Sequence, residues 1–134
     1  MLRTLRLPLA ALLAVVVLSA AARPRAERFA ERFHPRLEKS NPAKDTVLAA
    51  APATIELWFS ERVDLAASRV QVVDVAQKPV TLAPLWHDEA KKDGPVVAQV
   101  KAPMAPGKYT VNWVAAGSDG HPVRGSFGFT IRAP

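Results

Sequence analysis

The 134-residue sequence contains no cysteine. Disulfide bonds, zinc sites built from thiolates and cysteine nucleophiles are therefore excluded. Methionine is scarce as well, with two in the whole chain. A bound metal ion has to be held by histidine, aspartate, glutamate or one of these methionines. The three histidines are His34, His87 and His121.

The signature motifs of several enzyme classes are also missing. The sequence has no Gly-x-Ser-x-Gly elbow, no glycine-rich phosphate loop and no His-Glu-x-x-His motif. The sequence therefore contains no motif that would indicate a hydrolase or a nucleotide-binding protein. A length of 134 residues suits one compact domain with an appendage and excludes a multidomain enzyme.

The positive charge of the chain is concentrated near its amino terminus. The formal net charge is +6, which by itself would suit a nucleic-acid-binding protein. From His34 onward, however, twelve basic residues stand against ten acidic ones, and no basic run contains interleaved aromatic residues. We therefore expect no nucleic-acid partner.

The first 22 residues have the pattern of an export signal. Arg3 and Arg6 precede an apolar stretch over residues 7–18, and small residues follow up to Ala22. This order of charge, apolar core and small residues predicts a signal peptide over residues 1–22. An uncleaved membrane anchor is the alternative, because the apolar stretch approaches the length of a spanning helix. Either way, the domain lies outside the cytoplasm.

Residues 23–33 separate the signal from the domain. Basic and acidic residues alternate in this segment, and Phe29 and Phe33 lie four positions apart. A short helical segment of one or two turns is one interpretation. A solvated linker is favoured over a helix that lies on a membrane surface, because two aromatic residues offer little apolar area for binding to the membrane.

Alternation with a period of two dominates the rest of the chain. Ile55, Leu57 and Phe59, for example, fall on one face of a predicted strand. Clusters of glycine and proline separate the alternating runs. About seven strands in roughly 100 residues are typical of an all-β, antiparallel Greek-key β-sandwich, which is the fold predicted for residues 34–134. The predicted strands cover residues 37–40, 54–59, 69–74, 80–82, 96–100, 108–115 and 124–132.

Polar residues that could bind a metal lie near strand ends. Asp119 and His121 are two positions apart in the turn between the last two long strands, so both can point toward one site. A carboxylate and an imidazole can share one cation, and imidazole suits copper, zinc and nickel. Asp-Gly is also ordinary turn chemistry, so the pair alone leaves a structural role open. Taken singly, Glu61 and His34 can each be a solvated residue.

His87 lies in a charged segment between predicted strands and is followed by Asp88 and Glu89. These three residues could form a minor surface metal site. An exposed loop histidine is the favoured interpretation.

The order of several motifs resembles one family. The chain is similar to the periplasmic copper-resistance proteins of the CopC type, and the likeness runs from His34 to Ile131. It implies a cupredoxin-like or immunoglobulin-like sandwich, periplasmic localisation, and a role in copper homeostasis or copper resistance. The segments that carry it are His34-Pro-Arg-Leu37, Ser40-Asn-Pro-Ala43, Ala51-Pro-Ala-Thr-Ile-Glu-Leu-Trp-Phe-Ser-Glu61, Pro106-Gly-Lys-Tyr-Thr-Val-Asn-Trp113 and Ser118-Asp-Gly-His-Pro-Val-Arg-Gly125.

The same resemblance implies one Cu(II) site, with His34, Glu61, Asp119 and His121 as its residues. Glu61 would be a further oxygen donor or an acceptor that orients an imidazole. The protein would then bind copper and buffer or deliver it without catalysis. A membrane copper importer or another exported copper protein is the implied partner, and contact with the membrane itself is expected only if the signal stays uncleaved. No Cu(I) site is expected, because residues 72–79 contain no methionine.

One departure from the family pattern concerns the amine ligand. In the family, the histidine is normally the first residue of the mature protein, so that its free amine also binds the metal. Cleavage near residue 22 would leave a segment before His34. Two alternatives remain open: a β-sandwich interaction module without metal function, and a histidine-brace copper monooxygenase, which would need His34 at the amino terminus.

Overall fold

Two four-stranded β-sheets make up the fold. The computed structural model describes residues 34–91 and 94–134, all within the unit Arg32–Pro134. The predicted signal peptide and linker lie outside the described residues. The strand orders are β1-β3-β6-β5 and β2-β8-β7-β4. The strands are β1 (Leu37–Asn41), β2 (Val47–Leu48), β3 (Thr54–Phe59), β4 (Arg69–Asp74), β5 (Trp86–His87), β6 (Val96–Gln99), β7 (Gly107–Ala116) and β8 (Pro122–Ile131), with a 3₁₀ turn at Leu65–Ala67.

The predicted Greek-key β-sandwich is confirmed: β1 to β4 alternate between the two sheets along the chain, whereas β5 and β6 are neighbours in one sheet and β7 and β8 are neighbours in the other. Neighbouring strands are antiparallel except β2, which pairs in parallel with β8. Within the described residues, no helix has the length and apolar character needed to cross a membrane.

The strand predicted over residues 80–82 is wrong. Val80 N–H donates to Val72 O, 2.8 Å away in β4. Two residues later, Leu82 forms an isolated bridge with Val100, just after β6. The segment thus crosses from one sheet to the other and pairs with neither for long enough to form a strand. The short strands β2 and β5 were not predicted, because two residues cannot show alternation.

The hydrophobic core lies between the two sheets. β7 and β8 pair without interruption over ten residues and turn every second side chain inward. β3 contributes Ile55 and Leu57 to the same core, as its alternation predicts. The other large core residues are Val63, Val72, Val96, Met104, Tyr109, Val111, Trp113, Phe127, Phe129 and Ile131.

β3 also buries a charged residue on its other face. Glu56 is 6% exposed, and its Oε1 pairs with the Lys91 ammonium group. Burial alone raises the pKa of Glu56, but the hydrogen bond and charge of Lys91, with hydrogen bonds from Asn41 and Thr54, outweigh burial and lower it. The ion pair with Lys91 therefore keeps this buried carboxylate ionised.

We expect the free energy of unfolding of the Glu56→Gln variant to fall less steeply in acid than that of the unmodified protein. Because the pKa of Glu56 is lowered in the folded state, its ionisation stabilises the fold above the ordinary glutamate pKa. That contribution disappears as the pH falls through the folded-state value. Urea unfolding of the unmodified protein should show a free energy that drops more steeply than that of the variant between about pH 5 and pH 3.

Glu38→Gln is the matched control for this prediction. Glu38 is exposed on β1 and has no ion pair within residues 34–91 and 94–134. This variant should keep the steep acid slope of the unmodified protein. Equal slopes for all three proteins would show that the Glu56–Lys91 pair contributes nothing to the pH dependence.

Candidate metal centre

The turn between β7 and β8 folds a carboxylate back onto an imidazole. Gly120 has φ +75°, a backbone conformation that favours glycine, and its N–H donates to Gly117 O at 3.0 Å. His121 N–H donates to Asp119 Oδ1 at 3.1 Å. The Asp119 Oδ2 atom then lies 3.2 Å from His121 Nδ1. This local hydrogen bonding places both side chains on the same side of the turn.

His34 reaches this turn from the other sheet. It lies just before β1, where Pro35 is buried. Arg36 N–H donates to Ser60 Oγ at 2.9 Å, and Ser60 N–H donates to Arg36 O at 2.8 Å. These two bonds tie the start of β1 to the end of β3 and fix the direction from which His34 approaches.

Three side chains meet at this end of the sandwich. His34 Nε2 lies 3.8 Å from Asp119 Oδ2, and the centroids of the His34 and His121 rings are 6.1 Å apart. One potential ligand atom from each of the three residues lies within 4.8 Å of the other two. Two imidazole nitrogens and one carboxylate oxygen form a donor set that suits a divalent transition metal such as Cu(II), Ni(II) or Zn(II).

The carboxylate of this group is held in its ionised form. The hydrogen bond from the His121 main chain lowers the pKa of Asp119. Partial burial opposes this effect, but the side chain of His121 and the charge of His34 add to the lowering. The His121 side chain is 76% exposed, whereas that of Asp119 is 27% exposed. The group is therefore an anionic site that a metal ion or a partner can reach from solvent.

Glu61 does not belong to this group of donor atoms. It follows β3, and its Oε1 is buried without a hydrogen-bond partner among the described residues. The side chain lines a cavity of about 380 Å³ together with Arg62, His87 and Glu89. Because a buried carboxylate oxygen without a donor is unfavourable, Glu61 is open to a hydrogen-bond donor or a cation. Its role as a metal ligand stays a prediction.

The interpretation of His87 as an exposed loop residue is wrong. It lies in β5 and is half-buried. Its Nδ1 is 3.0 Å from Gly94 O, and its Nε2 is 3.0 Å from Val63 O. With each nitrogen against a carbonyl oxygen, the ring links two parts of the chain and has no nitrogen free for a surface metal site. A two-residue strand carries too little pattern for the sequence to reveal this.

A family model described as the CopC domain matches residues 37–132. Copper resistance protein C of Pseudomonas syringae pv. tomato is 35% identical over 103 residues, covering 74% of this chain and 81% of the relative. The Escherichia coli protein of the same name is 31% identical over 110 residues, covering 78% and 86%. Copper transport protein CutJ of Bacillus subtilis is 32% identical over 100 residues, which are 73% of this chain but 18% of that longer protein.

Solved structures named CopC and PcoC have a similar fold. CopC from Methylosinus trichosporium OB3b superposes with a TM-score of 0.66 at 27% identity, covering 74% of this chain and 94% of that one. PcoC from Escherichia coli, described as a methionine-rich copper resistance protein, superposes with a TM-score of 0.65 at 30% identity, covering 74% and 99%. The present chain differs from that description, since it contains two methionines.

Proposed function

The chain belongs to the CopC family, a family of copper resistance proteins, and on this premise we propose that it is an exported, non-enzymatic protein that binds one Cu(II) ion and buffers or delivers it in the periplasm. One observation carries the proposal: His34 meets Asp119 and His121, which lie together in a turn far from it in the sequence. A set of two imidazoles and one carboxylate is not needed to stabilise a β-sandwich, and it matches the ligands that divalent copper prefers.

The chemistry of the donors supports Cu(II) over Cu(I). Cu(I) prefers sulfur, whereas imidazole and carboxylate ligands suit Cu(II). Met104 is buried in the core, and the chain has no cysteine. In the proposed complex, His34, Asp119 and His121 hold the ion, and Glu61 acts as a further oxygen donor or as a hydrogen-bond acceptor nearby.

The exposure of the site supports exchange of copper with a partner. With its side chain 76% exposed, His121 can be approached by a second protein that competes for the ion. The likeness to a segment of a longer copper transport protein supports the same idea. We propose a membrane copper importer or another exported copper protein as the partner.

Titration of the purified, metal-free protein with Cu(II) tests this function. We expect one equivalent to bind, with Zn(II) at least about tenfold weaker, because nitrogen and oxygen sites favour copper over zinc. Calorimetry gives the stoichiometry, and competition with a chelator of known affinity gives the dissociation constant. Mass spectrometry of the mature protein determines whether any residues remain before His34 after export. Binding no tighter than that of free histidine would rule the proposal out.

A further inference from the structure

Strand β8 has a free edge over part of its length. It pairs with β7 along all of its ten residues, but β2 pairs with it only at Thr130 and Ile131. The next contact on that side is Asp45 N–H, which donates to Gly128 O at 2.7 Å. Residues 123–127 have no strand on this side within the part of the chain that the structure describes.

The alternation of the strand determines which main-chain groups face the free side. In an antiparallel ladder, successive residues direct their N–H and C=O groups to opposite sides. Gly128 O and Thr130 N–H both bond toward the β2 side, and the register with β7 is unbroken. Arg124 and Ser126 therefore present four main-chain groups to the free side, and no described residue bonds to them.

A groove of about 550 Å³ lies beside this edge. β1 forms its other wall, and Leu37, Trp113 and Phe127 give it an apolar lining. The ring of Trp113 covers Gly125, which lies in the lining between Arg124 and Ser126, and the rest of the groove is open. The groove can therefore take side chains from a strand that pairs with β8.

The charged groups around the edge are mostly basic. Lys39 and Lys44 line the groove with a single carboxylate, Glu38, while Arg124 and Arg69 line the adjoining outer face of the sheet. Neither arginine is paired with a carboxylate among the described residues. This charge favours an acidic occupant. It opposes a second copy, because pairing two β8 edges would bring basic surfaces together.

We propose that the free edge of β8 is a docking site for an extended acidic segment of a partner protein, which adds to the sheet as a further strand. Main-chain hydrogen bonds to Arg124 and Ser126 hold the segment, alternate apolar side chains enter the groove, and the carboxylates between them lie on the outer face beside Arg124. Docking itself needs no metal.

The docking edge begins beside the metal centre. Arg124 follows His121 by three residues, so the two are within about 10 Å along an extended strand. A docked segment would thus bring its protein next to the bound ion. This consequence for copper transfer rests on the proposed function, whereas the docking does not.

Hydrogen exchange with a defined peptide tests the docking. The probe is a nonapeptide of alternating glutamate and valine, acetylated and amidated at its ends, added to the metal-free protein. We expect exchange of the Arg124 and Ser126 amide protons to slow about tenfold at saturation, because they become hydrogen-bonded. Amide protons of β5, at the edge of the other sheet, should be unaffected.

Two control peptides and two variants separate the contributions. N-methylation of alternate peptide residues removes the hydrogen bonds of one edge and should abolish protection, and a lysine–valine peptide should bind at least roughly tenfold more weakly. Arg124→Glu should weaken binding of the acidic peptide roughly fivefold. Lys101→Glu, an equal charge change at an exposed residue after β6, should not.

Each contrary result is distinct. Unchanged exchange at Arg124 and Ser126, or equal binding of the N-methylated peptide, would overturn the docking site. Protection that rises with protein concentration in the absence of peptide would assign the edge to a second copy instead. Cu(II) affinity is measured on the same samples, and we expect Arg124→Glu to leave it unchanged. A protein that binds the peptide but not copper would refute the proposed function alone.

Discussion

Replacing His121 by alanine should lower the affinity for Cu(II) by at least about a hundredfold, since a ligand should matter more than the outer groups whose loss weakens metal binding by 10- to 100-fold. The substitution removes one of the two imidazoles of the metal centre and the ring that contacts Asp119 Oδ2. Asp119 and His34 would be left as an incomplete set. Competition with a chelator of known affinity measures the change.

The exposure of His121 makes this variant easy to interpret. Because most of its side chain is in solvent, thermal unfolding of the metal-free variant should match that of the unmodified protein. Ser118→Ala, an exposed residue of the same turn, is the matched control and should bind copper normally. If His121→Ala bound Cu(II) as tightly as the control, the metal centre would have to be elsewhere.

The same measurement on two further variants separates the roles of the predicted ligands. His34→Ala should reduce the affinity about as much as His121→Ala, because each removes one imidazole. Glu61→Gln separates two chemical roles. A loss of similar size would make Glu61 a ligand, whereas a loss of about tenfold would fit a hydrogen-bond acceptor that orients an imidazole.

Gly125→Ala should destabilise the fold by about 2 kcal/mol, although it adds a single methyl group. A Cβ atom at Gly125 would lie 2.4 Å from Cζ2 of Trp113 and 2.7 Å from its Cε2. The ring cannot easily move away, because it is 8% exposed and packs edge-on against Phe59 at 5.3 Å. Urea unfolding of the variant and of the unmodified protein gives the difference in the free energy of unfolding.

Gly128→Ala is the control for Gly125→Ala on the same strand. The nearest atom to a Cβ there is Tyr109 O at 3.5 Å, an ordinary contact distance. This variant should change the free energy of unfolding by no more than about 0.5 kcal/mol. Equal stability of the two variants would show that Trp113 adjusts without strain.

The sequence predicts the long strands of this fold better than it predicts which side chains of those strands are buried. β7 and β8 alternate over ten residues, which is long enough for a period to be recognised. Alternation also places Glu56 on an outer face, yet β3 lies between β1 and β6, and Lys91 covers that face from a distant position. Single-strand periodicity carries no information about which later segment covers a strand.

The sequence also predicts one part of the candidate metal centre better than the rest. Asp119 and His121 share one turn, so their proximity follows from local sequence. The approach of His34 depends on how β1 pairs with β3 and how the two sheets stack, and only the resemblance to a family predicts it. Glu61 is near the start of β1 through the bonds between Arg36 and Ser60, but its distance from a metal depends on side-chain packing that alternation does not specify.

The metal centre draws its residues from both layers of the sandwich. His34 leads into β1 in one sheet, while Asp119 and His121 lie between β7 and β8 in the other. An ion held by all three would fasten the layers together at their rim, as a clasp does. Free ion at 100 times its dissociation constant would then stabilise the native state by about 2.7 kcal/mol. The domain with bound copper would thus resist unfolding and proteolysis more strongly than the metal-free domain.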